Sequence, residues 1–115
     1  MKAFKDLEFS EMQNGLKGRH AKIFFSNGRG ASVISGPLFN GGMEDLYEMA
    51  VFRGSEKDHV MDYKTSVTSD VMTYLDEKAV SSVLEKIQNL KDTKEVKKLK
   101  IFKELGNENG NQRTN

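Results

Sequence analysis

The chain has 115 residues, no cysteine, one proline and a net charge of +1. That describes one small domain with a single two-layer core, and it excludes disulfides, Cys-ligated zinc and thiol catalysis. No apolar run approaches the ~18–20 residues of a membrane span, and MKAFKDLEF has no signal-peptide core, so a cytoplasmic setting is expected. The charge is uneven. Residues 1–90 carry 11 basic and 13 acidic side chains, net −2, whereas residues 91–115 carry 7 and 4, net +3. General polyanion affinity therefore belongs near the C-terminus, and its amount is small for a nucleic-acid-binding domain.

In chain order, Phe4–Phe9 reads as a short first strand, followed by a turn at Gln13-Asn14-Gly15 and Gly18. Arg19–Ser26 is a strand with Ala21, Ile23 and Phe25 on one face. Asn27-Gly28 suits a type I′ hairpin turn, and Gly30 a bulge. Ala31–Ser35 returns, with Val33 and Ile34 to bury, and Gly36-Pro37 ends it. Leu38–Glu44 is a glycine-rich loop. Asp45–Arg53 is apolar on both faces, as a central strand is. His59–Val67 alternates and supplies a further strand. The period then changes. Asp76 is a helix N-cap, Leu75 and Val80 form a hydrophobic staple, and Val80, Val83, Leu84, Ile87 and Leu90 share one helical face. Asp92-Thr93-Lys94-Glu95 can cap a second, basic amphipathic helix running through Leu105, with Gly106 as its stop. GNENGNQRTN is expected to be disordered.

The stretch FFSNGRGASVISGP at 24–37 invites comparison with a phosphate loop. A Walker-type loop needs G-x-x-x-x-G-K-[ST] before a helix, and a dinucleotide loop needs G-x-G-x-x-G before one. Here the lysine is missing and a strand follows, so the stretch is read as a hairpin. If its tip binds anything, Arg29, held out by two glycines, is the contact. His59 and Asp62 lie three apart on a strand and face opposite sides, so they do not chelate together. Ser26, Ser32, Ser35 and Ser66 lack a G-x-S-x-G elbow. No enzyme, cofactor or metal is expected.

Lys91, Lys94, Lys97, Lys98, Lys100 and Lys103 interleave with Val96, Leu99 and Phe102. This pattern has three readings: a solvated basic face over a buried stripe, a docking surface for a partner protein or a second copy, or a face that tracks phosphates.

The order of pieces also carries a resemblance. Phe25, Asn27, Gly28, Gly30, Ser32 and Val33 fit F-x-N-G-x-G-x-S-V. Gly41, Gly42, Leu46, Tyr47, Glu48, Ala50 and Val51 fit G-G…L-Y-E-x-A-V. Tyr63, Thr65, Thr68, Asp70, Val71, Tyr74 and Leu75 fit Y-x-T-x-x-T-x-D-V-x-x-Y-L. Over about residues 5–90 the chain resembles a family of small uncharacterised bacteriophage proteins. Arg29 and Met72-Thr73 depart from the pattern, and the lysine-rich segment lies outside it. The resemblance implies a phage origin, action in the host cytoplasm and no established catalytic residues. It also implies an accessory role against host or defence components, of the anti-CRISPR, anti-restriction or signal-sequestering kind. Thr65, Thr68, Ser69 and Asp70 are expected to tie their turn by side-chain-to-backbone hydrogen bonds.

The expected fold is α+β. An antiparallel sheet of four or five strands carries an amphipathic helix on one face, followed by a second basic helix. Residues 1–90 form the domain, 91–105 the basic helix and 106–115 the tail. The expected function is a phage accessory protein that binds and disarms a host or defence protein through Lys94, Lys97, Lys98, Lys100, Phe102 and Arg29. The alternatives are capture of a small phosphorylated or nucleotide signal by Arg19, His20, Arg29 and Arg53, and nucleic-acid binding through the lysine-rich helix. A homo-oligomer is a further possible partner state.

Overall fold

The computed structural model describes residues 1–13, 17–37, 46–68 and 70–92. It is α+β. A 3-10 turn at Phe4–Asp6 is followed by β1 (Ser10–Glu11), β2 (Arg19–Phe24), β3 (Arg29–Ser35), β4 (Tyr47–Gly54), β5 (His59–Met61), β6 (Met72–Leu75) and α1 (Glu77–Gln88). The strands form one antiparallel sheet in the order β1-β2-β3-β4, and β5 and β6 share the outer side of β4. The turn positions 14–16, the loop 38–45, Ser69, the second basic helix and the tail lie outside the described residues.

Strand parity divides the sheet into two faces. Ala21 pairs with Val33 and Ile23 with Ala31, and these in turn pair with Met49 and Val51. This face receives α1, whose Val80, Val83, Leu84 and Ile87 are buried against Ala31, Val33, Tyr47, Met49 and Val51. Each such side chain contributes roughly 1.5–3 kcal/mol before entropy. Leu90, expected on the same stripe, lies past the helix end and is only half-buried. Asp76 caps the helix as its sequence predicts, its carboxylate accepting the Ala79 N–H at 2.8 Å.

On β4, Ala50 and Phe52 of the second face are each only 4% exposed. Burial on both sides follows from its central place, with β3 along one side and β5 and β6 along the other.

Four expectations about elements are corrected. Phe4–Phe9 is not a strand. The Asp6 carboxylate accepts the Ala3 N–H at 2.8 Å and closes a turn, from which Phe4, Leu7 and Phe9 all reach the core. The hairpin is not type I′, because Gly28 alone takes a left-handed φ, of 74°, and Asn27 does not. Its loop is Ser26-Asn27-Gly28, closed by Gly28 N–H to Phe25 C=O (3.3 Å) and Phe25 N–H to Arg29 C=O (2.7 Å). This is the three-residue form with glycine at the left-handed position. Gly30 makes no bulge; it pairs in register with Phe24 and Phe52. A Cβ there would sit 2.5 Å from the Ile23 carbonyl oxygen and 2.8 Å from the Phe24 ring. The strand expected over His59–Val67 stops at Met61, because the Asp62 carboxylate accepts the Lys64 N–H at 2.9 Å and turns the chain.

The chain then makes a loop, within which Thr65 Oγ1 accepts from Val67 and Thr68, and Thr68 Oγ1 from Asp70. That tying agrees with expectation, but the loop leads into β6, a strand that the sequence pattern does not announce. Between Tyr47 and Met49, β6 runs from Leu75 to Met72, one residue too many. The surplus is a bulge that leaves Tyr74 at φ 57°, a rare conformation for an aromatic residue.

Candidate functional site

Arg29 is not presented at a hairpin tip. It is the first residue of β3, its side chain is 11% exposed, and Nη1 lies 2.6 Å from Asp62 Oδ2, itself 10% exposed. The register places Arg53 directly opposite it on β4. Burial alone would raise the Asp62 pKa. The Lys64 N–H, the Arg29 guanidinium and the nearby Arg53 charge together outweigh that and hold it below its ordinary value of 3.8. Most of the Arg29 charge is therefore already answered inside the fold.

Arg19 is also engaged. Its guanidinium lies 4.8 Å from the Phe9 ring centre and 5.6 Å from that of Tyr47, and Nη2 donates to the Tyr47 hydroxyl at 2.7 Å. Phe4 completes this cluster, edge-on to Tyr47 at 5.2 Å. His20 points to the opposite face, where it pairs in register with Ile34. Arg19 pairs with Ser35, at the far end of β3 from Arg29. Six strand positions separate the two, roughly 20 Å. Arg19, His20, Arg29 and Arg53 are therefore not gathered around one phosphate; only Arg29 and Arg53 are neighbours. Lys94, Lys97, Lys98, Lys100 and Phe102 lie outside the described residues.

The glycine-rich stretch instead serves the helix. Asn27 Nδ2 donates to the carbonyls of Ile87 (2.9 Å), Gln88 (3.4 Å) and Leu90 (3.1 Å), while its Oδ1 accepts the Arg29 N–H at 3.2 Å. The end of α1 leaves carbonyls without helical partners, and Asn27 answers them from across the fold. Gln88 adds two bonds to the first residues of the chain, accepting the Lys2 N–H at 2.9 Å and donating to the Lys2 carbonyl at 2.8 Å. A cleft of about 720 Å³ opens beside this junction, lined by Lys2, Lys5, Phe24, Phe25, Asn27 and Gln88 among others.

On the face away from α1, Phe24 and Phe52 stack across Gly30 with centroids 5.7 Å apart. His59 packs on both, at 4.9 and 4.4 Å, and Lys22 Nζ lies 5.6 Å from the Phe52 ring centre. His59 is thus half-buried on aromatic rings while Asp62 serves Arg29. Among the described residues no three His, Asp or Glu side chains come together as a metal site would require.

The surface feature that sequence reasoning missed is the outer edge. Val60, Met61, Tyr63, Val71 and Tyr74 are all exposed and belong to β5, β6 and the loop between them. In the sequence, Met61 and Tyr63 look like one buried strand face; nothing in it says that this strand would border the sheet. No helix among the described residues is long and apolar enough to cross a membrane.

Comparison with protein-family models, with curated proteins and with solved structures finds no match.

Proposed function

We propose that this chain is a non-enzymatic binding protein of a bacteriophage or mobile element, which inhibits or redirects a host or defence protein. The observation behind this reading is the way α1 ends. Asn27 closes its last carbonyls, and Val80, Leu84 and Ile87 are already buried within the core cluster formed by the sheet and the N-terminal segment.

The sequence nevertheless continues with Lys91, Lys94, Lys97, Lys98, Lys100 and Lys103 around Val96, Leu99 and Phe102. A basic, apolar-striped segment of this kind has the chemistry of a partner-docking surface. In this reading Lys94, Lys97, Lys98, Lys100 and Phe102 form the docking surface. Arg29 drops out, because it is committed to Asp62. The phage and defence part of the reading comes from the composite pattern spread over residues 25–75.

The test is affinity capture from infected cells with the full chain. Lys97→Glu together with Lys98→Glu should abolish capture while the melting temperature stays within a degree or two of the parent, since surface changes of this kind cost little. Capture that survives the double change removes the segment as docking face.

A second reading is kept alive by the cleft beside the helix end. Its Lys2, Lys5, Phe24 and Phe25 suit a small phosphorylated aromatic ligand better than the scattered arginines do. In a nucleotide panel, a rise in melting temperature would favour that reading, since a ligand specific to the native state raises it.

A further inference from the structure

We propose that Asn27-Gly28 is a deamidation site which the fold holds closed and which, once used, unfastens the end of α1. Asn-Gly is the dipeptide that resists this reaction least, because glycine has no Cβ to shield its backbone nitrogen. The sequence holds four such pairs, at 14–15, 27–28, 40–41 and 109–110. The pair at 27–28 is the one that lies within the described residues. The reaction needs no partner but water. The Gly28 nitrogen attacks Asn27 Cγ and gives up its proton to solvent. The bond from Cγ to Nδ2 breaks, and Nδ2 leaves as ammonia. Water then opens the resulting succinimide at either carbonyl, to aspartate or to isoaspartate.

Both reacting groups are restrained in the fold. Nδ2, the nitrogen that must leave, donates to the carbonyls of Ile87, Gln88 and Leu90 at 2.9, 3.4 and 3.1 Å. Oδ1 accepts the Arg29 N–H at 3.2 Å. The amide plane is pinned from both ends, and while these bonds hold it does not turn its face to the attacking nitrogen. The Gly28 N–H is itself engaged by the Phe25 carbonyl at 3.3 Å. Water is at hand, because Asn27 is only half-buried and lines the cleft of about 720 Å³ beside the helix end. Release of the amide, rather than access of water, therefore limits the reaction. Release means parting Asn27 from the last turn of α1, which is anchored by the fully buried Ile87 and by the bonds between Gln88 and Lys2. Such local openings of an element's end are far more frequent than global unfolding.

The products do not restore the contact. Either one carries a carboxylate, which has no hydrogen to give to the three carbonyls and sets negative charge against the negative end of the helix. Isoaspartate in addition routes the backbone through the former side chain, within the loop Ser26-Asn27-Gly28 that closes the hairpin. The loss of ammonia is not reversed in water. An opening that is caught by the reaction thus leaves the end of α1 less well held than before, and the chain records its own local opening in covalent form.

The test is peptide mapping by mass spectrometry on the full chain, incubated in mildly alkaline buffer with and without unfolding concentrations of guanidinium chloride. Asn27 should convert readily in the unfolded chain and slower by about tenfold or more in the folded one, the scale on which a helix-end contact holds. Ile87→Val, which loosens the last turn of α1 without touching the hairpin, should speed conversion in the folded chain severalfold and leave the unfolded rate unchanged. Parent chain aged in denaturant and refolded should melt lower than fresh parent. Asn27→Ala aged in the same way keeps the other three pairs and should lose less. Four results overturn the proposal: no conversion of Asn27 in denaturant, equal rates folded and unfolded, an Ile87→Val chain that converts no faster than the parent, or an aged parent that loses no more than aged Asn27→Ala.

Discussion

Arg29 and Asp62 form a nearly buried pair that joins the start of β3 to the residue after β5. Arg29 Nε has no hydrogen-bond partner, so the guanidinium depends on this single carboxylate more than a fully forked pair would. Removing the carboxylate leaves a buried cation. Asp62→Asn should cost about 3 kcal/mol in chemical denaturation. The pH dependence follows from the lowered pKa of Asp62. A carboxylate more acidic in the folded state binds fewer protons there than in the unfolded chain. Its stabilisation is complete above the ordinary value of 3.8 and disappears as the pH falls through the lower folded value. From neutral pH down into acid, the parent should therefore lose stability that Asp62→Asn does not lose, measured as the difference in denaturation midpoint.

At the scale of elements, α1 is held at both ends by side chains. Asp76 takes the Ala79 N–H at the start, and Asn27 gives its amide to three carbonyls at the finish. The second contact explains why the hairpin loop carries Asn at 27 although its φ is not positive. The residue is there for its donor, and Gly28 beside it supplies the turn. Asn27→Ala should lower stability by about 1–2 kcal/mol, the scale of a lost cap. Asn27→Asp should be worse than alanine. A carboxylate cannot donate, and it adds negative charge at the negative end of the helix dipole. If aspartate is tolerated better than alanine in thermal denaturation, the capping account is wrong.

For the whole molecule, α1 covers one face of the sheet, and the core formed by the described residues joins that helix to the sheet and the N-terminal segment. A chain ended after Asp92 should keep its circular dichroism spectrum and melt within a few degrees of the full chain. It should also lose capture of the partner proposed for Lys94–Lys103. Loss of folding on truncation would mean that the segment belongs to the core, and the docking reading would fall with it.

Several features of this molecule are legible in its local chemistry. Asp76, Leu75 and the Val80–Ile87 stripe define a helix because capping and a 3.6-residue period depend only on near neighbours. The hairpin at 24–35 and the two-faced burial of Tyr47–Phe52 are readable for the same reason, from turn chemistry and apolar alternation. Thr65, Thr68 and Asp70 tie their turn as their side chains suggest. The candidate site is far less legible. Arg29 looks displayed because two glycines flank it, yet Asp62, thirty-three residues away, draws it in. Arg19 looks available in the sequence, yet Phe9 and Tyr47 hold its guanidinium over their rings.

By itself the sequence determined where strands give way to helix, which stripe of that helix is apolar, and which strand is apolar on both faces. Each is written in the spacing of adjacent residues. Only the tertiary structure decided that Asn27 caps a helix sixty residues further on, that β5 and β6 divide one side of β4 between them, and that Met61, Tyr63 and Tyr74 are exposed. Those outcomes depend on which distant segments come together, and local periodicity carries no record of that.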